Sequence, residues 1–481
     1  MKKAFLYLLL GFQFSIAQEI VFEKPSLINA YDYKEATIDF IDNGSTFSLN
    51  YISESTALSW LFSEDLKKIT HKRAYKVSTT CINPLGSFGT EDTSVFIYTN
   101  NNKKKFRAVT IHHKNSNIEY TPLDFKLSKE KLINAFAYKQ QFYLFTFSKK
   151  SLTYRFHIFD THLNHSIKEI KIGTKNLKGS ESLDQSKQEQ WLNSITSLSY
   201  NSRAVLIEDN TSYQNSIITQ PSKVFISGGK LSLTIDKKNY TNIVDIDLEN
   251  FTAKVKRVGK IHLGVDYEFL AKSNSLLFKN LLFVVKGNSS QLNLRIFDNL
   301  TDSLMVEHNF DKNSSYTKER NLIVSEQLVQ QYNLPKAEKS KDNIIKKRLR
   351  KIMKGDNEIG LRVSEVDNKY YLNFGGYLHR TGHAPVAGMG MGFPGFTMGI
   401  GFYYNFERDE SLNLYLDSSN FDIGYTEDKP VYDKMNDFLN ERYKGQVNSN
   451  TQGIKKFKYK DNYYLSYFDI NNRTFYIRKF K

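Results

Sequence analysis

Apolar and polar residues alternate along most of this chain in short runs separated by polar turns. Tyr154, Phe156 and Ile158 fall on one side of such a run, and Arg155 and His157 on the other. Leu292, Leu294 and Ile296 repeat the pattern against Asn293 and Arg295. Period two bounded by turns predicts antiparallel hairpins with one buried face. The unit is a strand, a turn, a second strand ending in apolar-Asp, another turn and a third strand. Phe142–Phe147, Tyr154–Phe159 and Ile167–Ile172 form one copy, with Asp160 at the second turn. Leu231–Ile235, Ile243–Ile246 and Ala253–Val258 form another, with Asp247. Leu281–Val285, Leu292–Phe297 and Leu304–His308 form a third, with Asp298. Each Asp carboxylate is placed to accept hydrogen bonds from the backbone N–H groups that follow and so to start the turn.

Weaker copies pair Phe47–Ile52 with Ala57–Phe62, Ser94–Thr99 with Phe106–His112, and Tyr463–Phe468 with Thr474–Phe480. Tyr370–Phe374 pairs with Phe402–Phe406 or Leu412–Leu416 across an insertion. The units begin near residues 47, 94, 142, 231, 281, 370 and 463, at short intervals of 47, 48 and 50 residues and longer ones of 89 to 93. A period of ~40–50 residues with three or four strands per unit fits radially repeated sheets. With Phe159-Asp160 and Phe297-Asp298 similar to the blade endings of WD-type propellers, the chain resembles a β-propeller, although no Trp-Asp dipeptide occurs. The reading is all-β: a propeller-like domain over 18–481, with seven blades of antiparallel strands. An irregular β-sandwich or two all-β domains is the alternative. The leader described below, the Tyr/Asn/Lys-rich strands and the Gly-rich insertion also resemble uncharacterised exported proteins of Bacteroidetes bacteria.

Insertions are expected near 180–200, 325–355, 375–401 and 429–445. Asp184–Leu198 reads as a helix with a Ser186/Glu189 capping box and an apolar face of Trp191, Leu192, Ile195 and Leu198. Ser325–Lys354 reads as two helices divided at Pro335, with Ile345, Leu349 and Ile352 forming a stripe among basic residues. Pro430–Tyr443 reads as a structural helix, with Pro430 in its first turn and Gly445 at its C-cap. Gly375–Gly401 is the oddest stretch, running from Ala384 to Phe406 without a charge. Its Gly390-Met391-Gly392-Phe393-Pro394-Gly395 formally matches a dinucleotide fingerprint, but Pro394 and the aromatic run that follows exclude a helix start. It reads as a surface loop, an apolar contact loop, or a thioether–imidazole site of His379, His383, Met389 and Met391 suited to Cu(I).

Charge and leader add to this. Lys2 and Lys3, the apolar run Ala4–Ile16 and Ser15-Ile16-Ala17 read as a signal peptide over 1–17, leaving no membrane span after cleavage. The expected location is periplasmic or secreted. Formal net charge is +16, and loss of Lys2 and Lys3 leaves 16 − 2 = +14. Lys336–Lys354 alone carries nine Lys/Arg against Glu338 and Asp342, a net +7. Export points to anionic lipid or polysaccharide, rather than nucleic acid, as the electrostatic partner. The one cysteine, Cys81, excludes an internal disulfide and reads as a small buried hydrophobe.

Catalytic motifs are absent: there is no G-x-S-x-G, P-loop, H-E-x-x-H or Ca-loop. His157, His162 and His165 cluster at a strand end; His112 and His113 point to opposite faces; Asp245 and Asp247 share a strand face. Each has a structural explanation, and no metal or cofactor is assigned. The leading function is a non-enzymatic binding or scaffold protein of the cell envelope, with an envelope protein or glycan as partner. The contact residues expected are His379, His383, Met389, Met391, Phe393 and Phe396 in the Gly-rich stretch and Lys346, Lys347, Arg348, Arg350 and Lys351 in the basic segment. One alternative is an enzyme acting on polysaccharide or peptidoglycan at the propeller axis. Another is a binder of anionic envelope surfaces.

Overall fold

Among the described residues the strands assemble into seven small sheets, antiparallel except where 205–207 runs parallel to 223–225. The computed structural model describes residues 18–26, 35–41, 44–75, 77, 80–115, 117–127, 129–178, 183–196, 204–207, 218–264, 270–310, 348–355, 357–366, 368–384, 402–424, 430–443 and 446–481. Strand β1 (Gln18–Pro25) lies apart from its sequence neighbours. Blade 1 is β2 (Glu35–Ile41), β3 (Thr46–Ile52), β4 (Thr56–Phe62) and β5 (Lys68–Tyr75). Blade 2 is β6 (Asn83–Gly89), β7 (Thr93–Thr99), β8 (Phe106–His112) and β9 (Ile118–Leu123). Blade 3 is β10 (Lys131–Tyr138), β11 (Gln141–Ser148), β12 (Thr153–Phe159) and β13 (His165–Lys171). Blade 4 has five strands, β14 (Val205–Ile207), β15 (Ser222–Ser227), β16 (Lys230–Asp236), β17 (Tyr240–Asp247) and β18 (Thr252–Gly259). Blade 5 is β19 (Lys272–Phe278), β20 (Leu281–Gly287), β21 (Leu292–Asp298) and β22 (Leu304–Phe310). Blade 6 is β23 (Glu358–Val366), β24 (Lys369–Ala384), β25 (Phe402–Asp417) and β26 (Ile423–Gly424). Blade 7 is β27 (Thr451–Tyr459), β28 (Asn462–Asp469) and β29 (Thr474–Phe480), with β1 as its outer strand.

The first strand of each blade lies innermost. Strand β2 packs beside β27 and β6, β6 beside β10, β10 beside β14, and β19 beside β23. This is a β-propeller. Its ring closes where β1 pairs antiparallel with β29, Gln18 opposite Phe480. The middle strands are buried on both faces, as in β3 and β4, while the outer strand β13 is mostly exposed. Blades therefore pack face to face, which explains the aromatic excess. Between blades 7 and 1, Phe47 meets Tyr459 at 4.9 Å in a tilted arrangement, and Phe475 meets Tyr51 and Trp60 edge-on or tilted. Each such ring contributes roughly 1.5–3 kcal/mol on burial.

The seven unit starts read from the sequence are the second strands of six blades and the third strand of five-stranded blade 4. The unit begins one strand earlier, on an inner strand whose alternation is broken. Bulges interrupt β6, β10 and β27, and Lys223, Asn274 and Arg362 place polar groups on β15, β19 and β23. Tyr370–Phe374 pairs with Leu412–Leu416, not Phe402–Phe406. The turn aspartates act as the sequence predicts. Asp160 accepts from the N–H groups of His162 and Asn164, Asp247 from Glu249 and Asn250, and Asp298 from Leu300 and Thr301.

Three insertions pack into seams between blades. Helix α1 (Gln185–Thr196) places Trp191, Leu192 and Ile195 in the core shared by blades 3 and 4. Its cap is Asp184, whose Oδ1 accepts from the N–H of Lys187, rather than the Ser186/Glu189 box. A helical turn at 348–352 buries Leu349 and Ile352 in the core of blades 5 and 6. Helix α2 (Val431–Arg442) buries Met435 and Leu439 against blade 7, while Asp433 reaches Arg362 of blade 6 at 3.3 Å. Pro430 is its N-cap, and Gly445 lies outside the described residues. Cys81 is buried.

Candidate functional site

The two segments singled out by the sequence meet on blade 6. Strand β24 pairs with β23 only as far as Tyr377, opposite Glu358. Its ladder with β25 continues through Leu378–Arg408 to Ala384–Phe402. Seven residues per strand thus form a two-stranded ribbon of about 24 Å at ~3.4 Å per residue. Among the described residues, no third strand covers either edge of this ribbon. Its backbone groups form a template on which an extended segment can pair.

The helical turn of the basic segment grips the base of the ribbon. The backbone of Ile352 packs directly on Gly376, so that a side-chain carbon there would lie 2.8 Å from the Ile352 carbonyl carbon. Arg348 is buried and donates to the Ser411 carbonyl oxygen at 2.7 Å. Lys272 of blade 5 donates to the carbonyl oxygens of Gly355 and Asn357 at 2.7 and 2.6 Å. Arg348 is therefore an anchor of the ribbon base and not an exposed contact, which corrects the sequence reading. Arg350 is exposed and Lys351 half-buried. His379 and His383 occupy the ribbon at register positions opposite Glu407 and Tyr403. Met389, Met391, Phe393, Phe396, Lys346, Lys347 and Ile345 lie outside the described residues.

Titratable groups converge elsewhere. In blade 3, His157 Nε2 lies 3.0 Å from Glu130 Oε2, and His157 Nδ1 lies 3.1 Å from His165 Nε2. Glu130 also accepts from Thr146 Oγ1 at 2.6 Å and from Arg155 at 2.7 Å. Burial alone would raise the Glu130 pKa, but hydrogen bonds from His157, Thr146 and Arg155 pull it down to about 2. Burial, and then the charge of His157, lower the pKa of His165. No group of three His, Cys, Asp or Glu side chains among the described residues is arranged to hold a metal ion. The sequence found two members of this cluster, but Glu130 lies 27 residues from His157 and carries no local signal.

Between blades 4 and 5, Asp236 accepts from Lys260 at 2.7 Å, from Thr241 and from Ser275, with the Lys223 ammonium 3.6 Å away. Burial pushes the fully buried Lys223 down to about 8, against the opposing pull of Asp236. Burial would raise Asp236, yet Lys260 and Lys223 hold it below the usual carboxylate range. Lys256 joins this region through Asp302 at 2.6 Å. These groups hold adjoining blades together.

Asp245 and Asp247 do not act as a pair. Asp245 is 3.1 Å from Lys230, while Asp247 shapes its turn. His112 and His113 diverge as expected, His112 to Glu119 and His113 inward to Ser94 Oγ at 3.0 Å.

No family model matches this chain, and no curated protein matches it. Solved structures offer distant likenesses. The β-propeller domain of the Trilobed protease from Pyrococcus furiosus is 7% identical, with a TM-score of 0.34, and the match covers 94% of this chain and 95% of that one. A Synechocystis apocarotenoid oxygenase is 8% identical with a TM-score of 0.31, and the match spans 57% of this chain and 61% of the oxygenase. A prolyl endopeptidase is 11% identical with a TM-score of 0.31, and the match spans 71% of this chain and 39% of the endopeptidase. Identities this low transfer no activity.

Proposed function

We propose that this chain is an exported, non-enzymatic binding or scaffold propeller of the cell envelope. It engages an envelope protein through the ribbon of blade 6 and the basic segment at the ribbon's base. The observation that carries this reading is the convergence of two separate sequence segments on one element, with Ile352 against Gly376. The ribbon departs from a disc of well-packed blades, and binding elements on rigid scaffolds occur at such departures. Its edges, which no third strand covers among the described residues, suit backbone pairing with a partner strand. The net +7 of Lys336–Lys354 adds attraction for an acidic partner surface. A crosslinking pull-down of the mature protein from its native envelope fraction tests the reading. A specific, stoichiometric protein partner supports it, and recovery of the protein alone or with glycan only overturns it.

A further inference from the structure

The Glu130–His157–His165 cluster has a direction. Glu130 also accepts hydrogen bonds from Thr146 and Arg155, and an ionised carboxylate only accepts. His157 therefore donates to it from Nε2. In the state in which His157 is neutral, its Nδ1 carries a lone pair and accepts from His165 Nε2–H. One atom of the chain is left over: His165 Nδ1, bearing a lone pair.

The two ends differ in their surroundings. The Glu130 and His157 side chains are only 3% and 4% exposed, while His165 is exposed at the start of β13. Its ring is held between Phe159, stacked at 4.8 Å, and Phe125, at 5.1 Å. Arg155 sits between Glu130 and Glu169, at 2.7 and 2.5 Å, and so fixes the carboxylate from the side. A buried anion is thereby connected through two imidazoles to a basic nitrogen at the surface. A purely structural hydrogen-bond cluster has no need of that surface end.

We propose that His165 is a nucleophilic histidine, a site of covalent modification by acyl-type electrophiles, activated through His157 by Glu130. Nδ1 attacks the electrophilic carbonyl carbon, the N–C bond forms and the leaving group departs with its electron pair. The Nε2 proton of His165 passes to His157 Nδ1. His157 becomes an imidazolium held by the Glu130 carboxylate, and the acylated His165 is left neutral. Thr146, Arg155 and His157 keep Glu130 ionised, so it stabilises the imidazolium without taking its proton.

Diethyl pyrocarbonate tests this on the intact chain at pH 6, with ethyl carbonate leaving and decaying to carbon dioxide and ethanol. Modification is followed by absorbance and assigned by peptide mass spectrometry. Exposed His162, in the adjoining turn and outside the relay, is the internal reference. The expected result is His165 reacting at least about tenfold faster than His162. Glu130→Gln and His157→Gln should each remove that excess while the His162 rate stays fixed, with circular dichroism confirming a folded propeller. Equal rates at His165 and His162 in the unaltered protein would overturn the proposal whether or not the variants fold. An excess that persists in folded Glu130→Gln would overturn the relay.

Discussion

Ile352 and Gly376 meet backbone against backbone: the carbonyl of Ile352 occupies the space that a side chain at position 376 would need. Glycine is required there by close approach and not by a left-handed backbone. Gly376→Ala must push the helical turn at 348–352 off the ribbon base. We expect a loss of about 1–3 kcal/mol, as for overpacking in a filled interior. Urea unfolding reads the loss, and hydrogen exchange locates it at Ser411, whose carbonyl Arg348 holds. An unchanged midpoint would mean that the turn and ribbon are not coupled.

Ring closure depends on an eight-residue strand. Phe22 on β1 meets Trp60 at 5.0 Å and Phe62 at 5.1 Å, both edge-on, so β1 ties blade 7 to blade 1 as well as completing a sheet. Phe22→Ala should cost about 2 kcal/mol, since the ring is only partly buried. Hydrogen exchange should quicken first in β29. Uniform quickening across all seven blades would contradict a local closing role.

Acid should loosen two sites in order. Burial pushes His113 down to about 4, from an ordinary 6.5. A histidine with a depressed folded pKa favours the neutral form. Its stabilising share is present above pH 6.5 and is lost as pH falls toward 4. Glu130, lowered from 4.5 to about 2, contributes above pH 4.5 and loses its share as pH falls toward 2. His113→Gln should flatten the fall in melting temperature between pH 6.5 and 4, and Glu130→Gln the fall below pH 4.5. Glu130→Gln should also cost about 1–3 kcal/mol at pH 7, because Arg155 and His157 lose a charged partner. Identical pH profiles for the variants and the parent would refute these assignments.

The blades were legible where side chains alternate and turns carry a marker. Tyr154, Phe156 and Ile158 revealed their strand, and Asp160, Asp247 and Asp298 their turns. Inner strands escaped because they bury polar groups. Lys223 and Asn274 bond each other at 2.7 Å across blades 4 and 5, a pairing that only the folded ring supplies. The helix cap was misplaced by two residues because Asp184 and Ser186 offer the same chemistry, and only backbone geometry chooses between them. The basic segment and the Gly-rich stretch were each visible in composition. Their meeting at Gly376 was not, since it depends on a close backbone approach. Asn134 likewise holds the extra strand of blade 4 by donating to the Ala204 carbonyl, a contact with no sequence periodicity.

The ribbon of blade 6 is the central claim, and capture of partner by a ribbon-shortened protein tests it most directly. Residues 378–408 would be replaced by an Asn-Gly turn, which suits a tight hairpin and leaves the β23–β24–β25 pairing of the blade in place. Parent and shortened proteins would be compared in crosslinking capture from the same envelope fraction, with melting temperatures measured alongside. The account predicts lost capture at an unchanged melting temperature. Undiminished capture by the shortened protein would contradict it.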